Sequence, residues 1–194
     1  MRERVAKAVQ QAVEALQAIT PEHQEVIAQM AGRLVEALRG GGKILVCGNG
    51  GSAADAQHIA GELVGRFRRD RKPLACLALS TDTSIITAVG NDYAFGDIFS
   101  RQVDALGRGG DVLLALTTSG NSPNVLAAAR AARARGMIVL AMTGRSGGAL
   151  AGLAELGFMA PADRADLAQQ LHQVAYHIIC DLVEEAFAKP PKQG

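Results

Sequence analysis

Val5, Val9, Val13 and Leu16 recur at helical spacing before the segment TPEH, and Val26, Ile27, Met30, Leu34 and Leu38 do so after it. Thr20 can cap a helix and Pro21 can start one, so the pattern predicts two N-terminal helices. Beyond GGGK it changes to short apolar runs, KILVC, PLACLAL, DVLLALT, MIVLAMT and LGFMA, each bounded by polar or glycine-rich stretches. These read as strands buried on both faces. Alanine-rich helical segments lie between them, notably residues 122–135. Strand alternating with helix implies right-handed crossovers and a parallel sheet covered on both sides. Over residues 163–188 the apolar positions Leu167, Leu171, Val174, Ile178, Leu182 and Val183 mark one long closing helix. The final KPPKQG has nothing to bury and reads as a disordered tail. The expectation is a three-layer αβα sandwich around a five-stranded parallel sheet. Residues 1–40 form an N-terminal helical segment, 41–188 the sheet domain and 189–194 the tail.

Composition narrows the function classes. The chain has 194 residues, 48% of them hydrophobic, enough for a substantial core. Twenty basic residues against nineteen acidic ones leave a net charge of +1, which offers no field to attract nucleic acid or an anionic membrane. Three cysteines, Cys47, Cys76 and Cys180, have neither metal-finger spacing nor an even count, and read as buried thiols of a reducing compartment. MRERVAKAVQQAVEAL interrupts its apolar positions with charge every few residues, excluding a signal peptide or membrane span there. A soluble cytoplasmic protein is expected.

In open parallel sheets ligands bind beyond the carboxyl ends of strands, which directs attention to the stretches after KILVC and DVLLALT. The first is GNGGSAADA, where Asn49, Gly50, Gly51 and Ser52 combine glycines that admit a close ligand with a hydroxyl able to cap the next helix. The second is TTSGNSPN, with hydroxyls at Thr117, Thr118, Ser119 and Ser122, Gly120 for the turn and Pro123 at the first helical position. Both are helix starts suited to an anion. No lysine follows the glycines as in a P-loop, and the G-x-G-x-x-G spacing is absent, so a phosphorylated small molecule is favoured over a nucleotide. Each loop taken alone also fits an ordinary strand-to-helix turn.

His58 and Glu62 stand four apart on the helix that begins near Ser52 and project from one face, where they can reach one substrate or one metal ion. An exposed helix pair is the plainer alternative. The closing helix adds Gln169, His172 and His177 to an apolar pattern, imidazole being suited to proton transfer near neutrality. Gln169 and His177 share a face but lie about 12 Å apart along the axis. Two imidazoles with a carboxylate and an amide oxygen make a plausible zinc set, although glutamine is an uncommon ligand.

Together CGNGGSAADAQHIAGELVGRF, GNDYAFGDIFSRQV, GDVLLALTTSGNS and LAQQLHQVAYH resemble the sugar isomerase (SIS) domain family and, within it, the isomerases of phosphorylated heptoses. The resemblance runs over nearly the whole chain, and the four blocks in order are specific where any one is weak. It implies a flavodoxin-like sheet. It also implies an aldose–ketose isomerase converting D-sedoheptulose 7-phosphate to D-glycero-D-manno-heptose 7-phosphate through an enediol, a cytoplasmic step toward lipopolysaccharide core, usually by a homotetramer that the N-terminal helices help to assemble. By resemblance, Asn49, Gly50, Gly51, Ser52, Thr117, Thr118, Ser119 and Ser122 bind the substrate's phosphate end. Asn91, Asp92 and Asp166 also contact substrate, as do His58, Glu62 and Gln169. The resemblance places His58, Glu62, Gln169 and His177 on metal-binding positions for Zn²⁺, and Glu62 and His177 on an acid–base pair. Thr117 stands where serine is more usual, Gly61 replaces an acidic residue, and SAADA replaces a variant with histidine and cysteine.

The rival is a non-catalytic protein of the same fold, similar to the DnaA initiator-associating protein, or a sugar-phosphate sensor. The first of these lacks the acid and imidazole that this chain has at Glu62 and His177. The cluster RFRRDRK over residues 66–72 reads as a solvated loop or, alternatively, a partner surface.

Overall fold

The computed structural model describes residues 1–188; the tail expected at 189–194 lies outside them. α1 (Arg2–Gln17) and α2 (Pro21–Arg39) precede β1 (Ile44–Cys47), and α3 (Gly51–Val64) leads to β2 (Cys76–Ala78). α4 (Thr83–Asp92), a 3₁₀ turn at Phe95–Asp97 and α5 (Ser100–Leu106) lead to β3 (Val112–Thr117). α6 (Pro123–Ala134), β4 (Ile138–Thr143), α7 (Gly148–Ala151), β5 (Leu156–Met159) and α8 (Ala165–Phe187) complete the chain. All strands pair in parallel in the order β2-β1-β3-β4-β5. The two N-terminal helices, the doubly covered sheet and the long closing helix therefore stand as the apolar periodicity predicts.

Strand residues alternate between two cores. Ile44, Val46, Leu114, Leu116 and Met142 face α2, α3 and α8, whose Met30, Leu34, Ile59, Leu63, Leu171 and Val183 are buried against them. Leu45, Leu113, Ala115, Val139 and Ala141 face the other layer, built by α5, α6 and α7 with Val89 of α4. Two expectations are corrected, and one stretch without a predicted element is filled. Burial on both faces holds for β1, β3 and β4 but not for the edge strands, where Leu77 and Met159 are about two-fifths exposed because no strand covers their outer side. Residues 83–106, without a clear apolar period, fold into α4, the 3₁₀ turn and α5. The basic loop is not all solvated, because the Arg71 guanidinium is fully buried and Arg69 pairs with Asp181 at 2.7 Å.

Cys47 and Cys180 are buried and Cys76 is half-buried; all three are free thiols, each pushed by burial to about 12. At α1 the predicted apolar stripe stays in solvent. Val5, Val9, Val13 and Leu16 are 40–63% exposed, and only Ala15 of that helix is buried.

Candidate active site

The order β2-β1-β3 places a switch point between β1 and β3, since α3 leaves β1 toward one layer and α6 leaves β3 toward the other. Ligands of such sheets bind in the crevice above that point. The two hydroxyl- and glycine-rich loops flank it, joined by a reciprocal amide pair: Asn49 and Asn124 each donate to the other's Oδ1 at 2.8 Å. Asn124 is buried and its role has no sequence signal beyond its place after Pro123.

Within the first loop, Gly50 adopts φ 54° and precedes the helix, whose bonds begin with Ala53 and Ala54 N–H donating to the Gly50 carbonyl. Ser52 is therefore not the cap. It sits one residue inside α3, buried, and a Cβ on Gly48 would meet its Cβ at 2.7 Å. Of the three glycines only Gly50 faces open space, as a Cβ on Gly51 would strike the Gln169 amide at 2.5 Å. Two of the glycines thus serve packing of the chain on itself. In the second loop Thr117 Oγ1 lies 2.8 Å from Ser122 Oγ and 3.3 Å from Ser119 Oγ, and Ser119 Oγ accepts the Asn121 N–H. Thr117 is buried, Thr118 and Ser122 are half-buried and Ser119 is exposed, so one edge of a prewired hydroxyl cluster faces solvent.

The acid–base candidates meet elsewhere. α3 and α8 run side by side in the same direction: Gln169 lies over Gly51, Tyr176 reaches His58, and Glu184 lies under the loop after α3. His177 is thereby brought to His58 and Glu62, and ligand atoms of the three lie within 4.8 Å of one another. His58 Nε2 is 3.1 Å from Glu62 Oε1, and the His58 and His177 rings stand edge to face at 5.0 Å. Burial, then the neighbouring His58, holds the His177 imidazole below its usual range, while Glu62 pulls the other way. Neutral imidazole is the form that ligates a metal, and two imidazoles with one carboxylate match the donors zinc takes. Gln169 comes from the same helix as His177. It is about two turns nearer the N-terminus of α8, about 12 Å along the axis, with its amide over Gly51 at the start of α3.

Asn91 and Asp92 end α4 in the opposite layer, exposed, with Asn91 Nδ2 donating to Asp92 Oδ1 at 2.8 Å. Asp166, in the first turn of α8, is held by Arg164 below the usual carboxylate range. Neither is drawn into the His–Glu–His group.

Several supporting residues escaped the sequence pattern. Glu184, fully buried, accepts the backbone N–H groups of Phe67, Arg68 and Arg69 at 2.6–2.8 Å. Burial pushes its carboxyl up, but those three bonds and the Arg71 charge hold it below its ordinary value. Arg71 donates to the Glu62 and Gly65 carbonyls. The loop so fastened lays Phe67 flat on His177, with centroids 5.7 Å apart and planes at 18°. On the other side Tyr176, fully buried, lies with its hydroxyl 3.0 Å from His58 Nδ1 and 3.5 Å from Asp55 Oδ1.

The SIS domain family model matches residues 9–144. Phosphoheptose isomerase of Rhodospirillum rubrum is 54% identical over 82% of this chain and 85% of its own, and that of Aquifex aeolicus 48% over 95% and 97%. The structure of phosphoheptose isomerase from Neisseria gonorrhoeae, 44% identical, superposes with a TM-score of 0.90 over 95% of this chain and 98% of the other.

Proposed function

Because the chain belongs to the SIS domain family and, with its phosphoheptose isomerase relatives, is an isomerase, we propose that it interconverts D-sedoheptulose 7-phosphate and D-glycero-D-manno-heptose 7-phosphate, a step in surface-heptose synthesis. The observation that carries the reading is the meeting of Glu62 with His58 and His177, the only such three-residue group among the described residues. In the substrate the phosphate is on C7 and the reacting carbons are C1 and C2, so the anion site and the proton-transfer groups belong at opposite ends of an extended ligand. His58 lies seven residues along α3 from Gly51, about 10 Å of helix axis, in keeping with that division.

In the proposed mechanism Asn49–Ser52 and Thr117–Ser122 hold the phosphate through backbone N–H groups and hydroxyls, so that binding energy remote from the reaction orients C1 and C2. Glu62 removes a C1 proton, the enediol forms, and the proton returns at C2. His177, whose imidazole burial holds below its usual range, donates a proton to the C2 oxygen as the enediol forms and takes the C1 hydroxyl proton as the enediol collapses to the aldehyde, so it ends in the state in which it began. Gln169, beside Gly51, reaches the substrate from above the first loop. Asn91, Asp92 and Asp166 complete the binding surface on neighbouring elements. His58, Glu62 and His177 would hold Zn²⁺, with Gln169 as a fourth donor after rearrangement; a bound zinc supplies polarisation of the carbonyl.

The first forty residues are proposed to serve assembly as well as packing. The stripe Val5, Val9, Val13 of α1, with Ile178 and Leu182 of α8, leaves more apolar surface uncovered than isolated side chains explain and supports self-association, for which the family resemblance implies a homotetramer. No described helix is long and apolar enough to cross a membrane, and a cytoplasmic setting follows from the substrate. Incubation with sedoheptulose 7-phosphate, followed by ¹H and ³¹P NMR, tests the reading. Appearance of the aldose is expected, and no turnover with or without zinc would overturn it.

A further inference from the structure

Beyond the three meeting side chains, a buried polar chain runs behind them. Tyr176 is fully buried among core residues of α8, so its ring cannot swing, and its hydroxyl has two neighbours: His58 Nδ1 at 3.0 Å and Asp55 Oδ1 at 3.5 Å. Asp55, one turn before His58 on α3, is 5% exposed; the Gln173 side chain neighbours its carboxylate, and its Oδ2 has no hydrogen-bond partner among the described residues. A buried carboxylate oxygen left without a partner costs stability and calls for a reason. The phenol lies between the His58 imidazole nitrogen and the other oxygen of this carboxylate, Oδ1, and can serve either, because a hydroxyl both donates and accepts.

We propose that the Tyr176 hydroxyl, backed by Asp55, positions His58 and lets its ring exchange tautomers without leaving its place. In the first arrangement His58 Nε2–H donates to Glu62 Oε1, 3.1 Å away, and Tyr176 O–H donates to Nδ1. In the second, Nδ1 carries the proton and donates to the Tyr176 oxygen, and the hydroxyl turns to donate to Asp55 Oδ1. Ring and phenol hold one proton each in both arrangements, so no net charge moves. The second frees the Nε2 lone pair toward Glu62 and His177, as ligation of a cation requires, and outer hydrogen bonds of this kind fix ring orientation and tautomer. Tyr176 and Asp55 are positioning residues: neither is part of the His58–Glu62–His177 group. The inference rests on the metal reading above for the use of the second tautomer, but not for the first.

Long-range ¹H–¹⁵N spectra of the histidine rings test it, with only four histidines to assign by single substitutions. Zinc-free protein should show His58 protonated on Nε2, and zinc-loaded protein should show it protonated on Nδ1. Tyr176→Phe keeps the ring's shape while removing the hydroxyl, and should weaken zinc binding roughly ten- to a hundredfold in competition with a chromogenic chelator. It should also erase the zinc-free preference, and Asp55→Asn should give a smaller loss of zinc affinity. Zinc affinity within twofold of wild type, with unchanged His58 nitrogen shifts in Tyr176→Phe, would overturn the proposal. If the wild-type protein takes up no zinc, the metal reading alone falls and the zinc-free tautomer decides: Nε2–H in wild type but mixed in Tyr176→Phe supports the role of Tyr176, and equal spectra refute it. If Tyr176→Phe does not fold, the wild-type spectra decide, since Nδ1–H in the zinc-free protein contradicts the first arrangement.

Discussion

The loops above the sheet and the His–Glu–His group on its flank are built in opposite ways. Thr117, Ser119 and Ser122 are neighbours in sequence and bond to one another, so their cluster is complete once one turn has formed. His58 and His177 are separated by more than half the chain, and they meet only because α3 and α8 pack in parallel on the same core. A locally made site tolerates loss of distant packing, while a tertiary one depends on it. In the proposed reaction the first grips and the second transfers protons, so damage to each should appear in different kinetic constants.

The sharpest separation comes from the flank. Glu62→Gln should lower kcat by about 10²–10⁴-fold with KM little changed, because a general base acts mainly in the transition state. Steady-state assays on the heptose phosphate check this, and a loss confined to KM would reverse the assignment of the two regions.

Next in size is the dependence on packing. Glu184→Ala removes the acceptor of three backbone N–H groups and leaves the Arg71 charge buried, which should destabilise the fold by about 3–5 kcal/mol. Equilibrium urea unfolding measures it. Since Phe67 loses its fixed seat on His177, kcat should fall as well, with KM for substrate less affected. A change below about 1 kcal/mol would show the loop to be held by other contacts.

The loops should respond more mildly. Ser122→Ala removes one hydroxyl of the prewired cluster and should raise KM roughly tenfold or more, the range for a hydrogen bond to a charged group, with kcat reduced less. An equal fall in kcat with unchanged KM would place chemistry, rather than grip, at that loop.

Smallest is a pH effect on stability. Glu184 and Asp111 are both held below their ordinary carboxylate values; at Asp111 the bonds from Lys43 and the Arg108 N–H outweigh burial. The unfolded chain therefore takes up protons first as pH falls. The stability these groups contribute is complete above the unfolded values near 4 and is lost progressively as pH falls through the lower folded ones. Asp55, pushed up by burial, acts in the opposite sense. Glu184→Gln should flatten the acid limb of a plot of urea midpoint against pH, and an unaltered limb would mean that Glu184 does not couple to folding.

The same local–tertiary distinction decides what was legible beforehand. The five apolar runs name all five strands, because a parallel sheet covered on both faces leaves a continuous apolar signature in its central members. Residues 83–106 gave no such signature, as α4 buries only Val89 and leans on the 3₁₀ turn rather than the sheet. The hydroxyl loop announced itself, and so did His58 with Glu62 through the i, i+4 spacing. Their meeting with His177 followed from the family resemblance and not from spacing, and the roles of Tyr176, Asp55 and Glu184 had no sequence signal, since their partners lie more than 110 residues away. Ser52 misled: a hydroxyl after glycines has the composition of a cap, but backbone geometry gave that place to Gly50.

Proton exchange at carbon tests the central claim most directly. In D₂O the wild-type protein should place deuterium from solvent at C1 of sedoheptulose 7-phosphate and C2 of the aldose. Glu62→Gln should still perturb the bound ligand's ³¹P signal but exchange neither proton. Exchange by Glu62→Gln at the wild-type rate would contradict the account, because another group would then be taking the C1 proton.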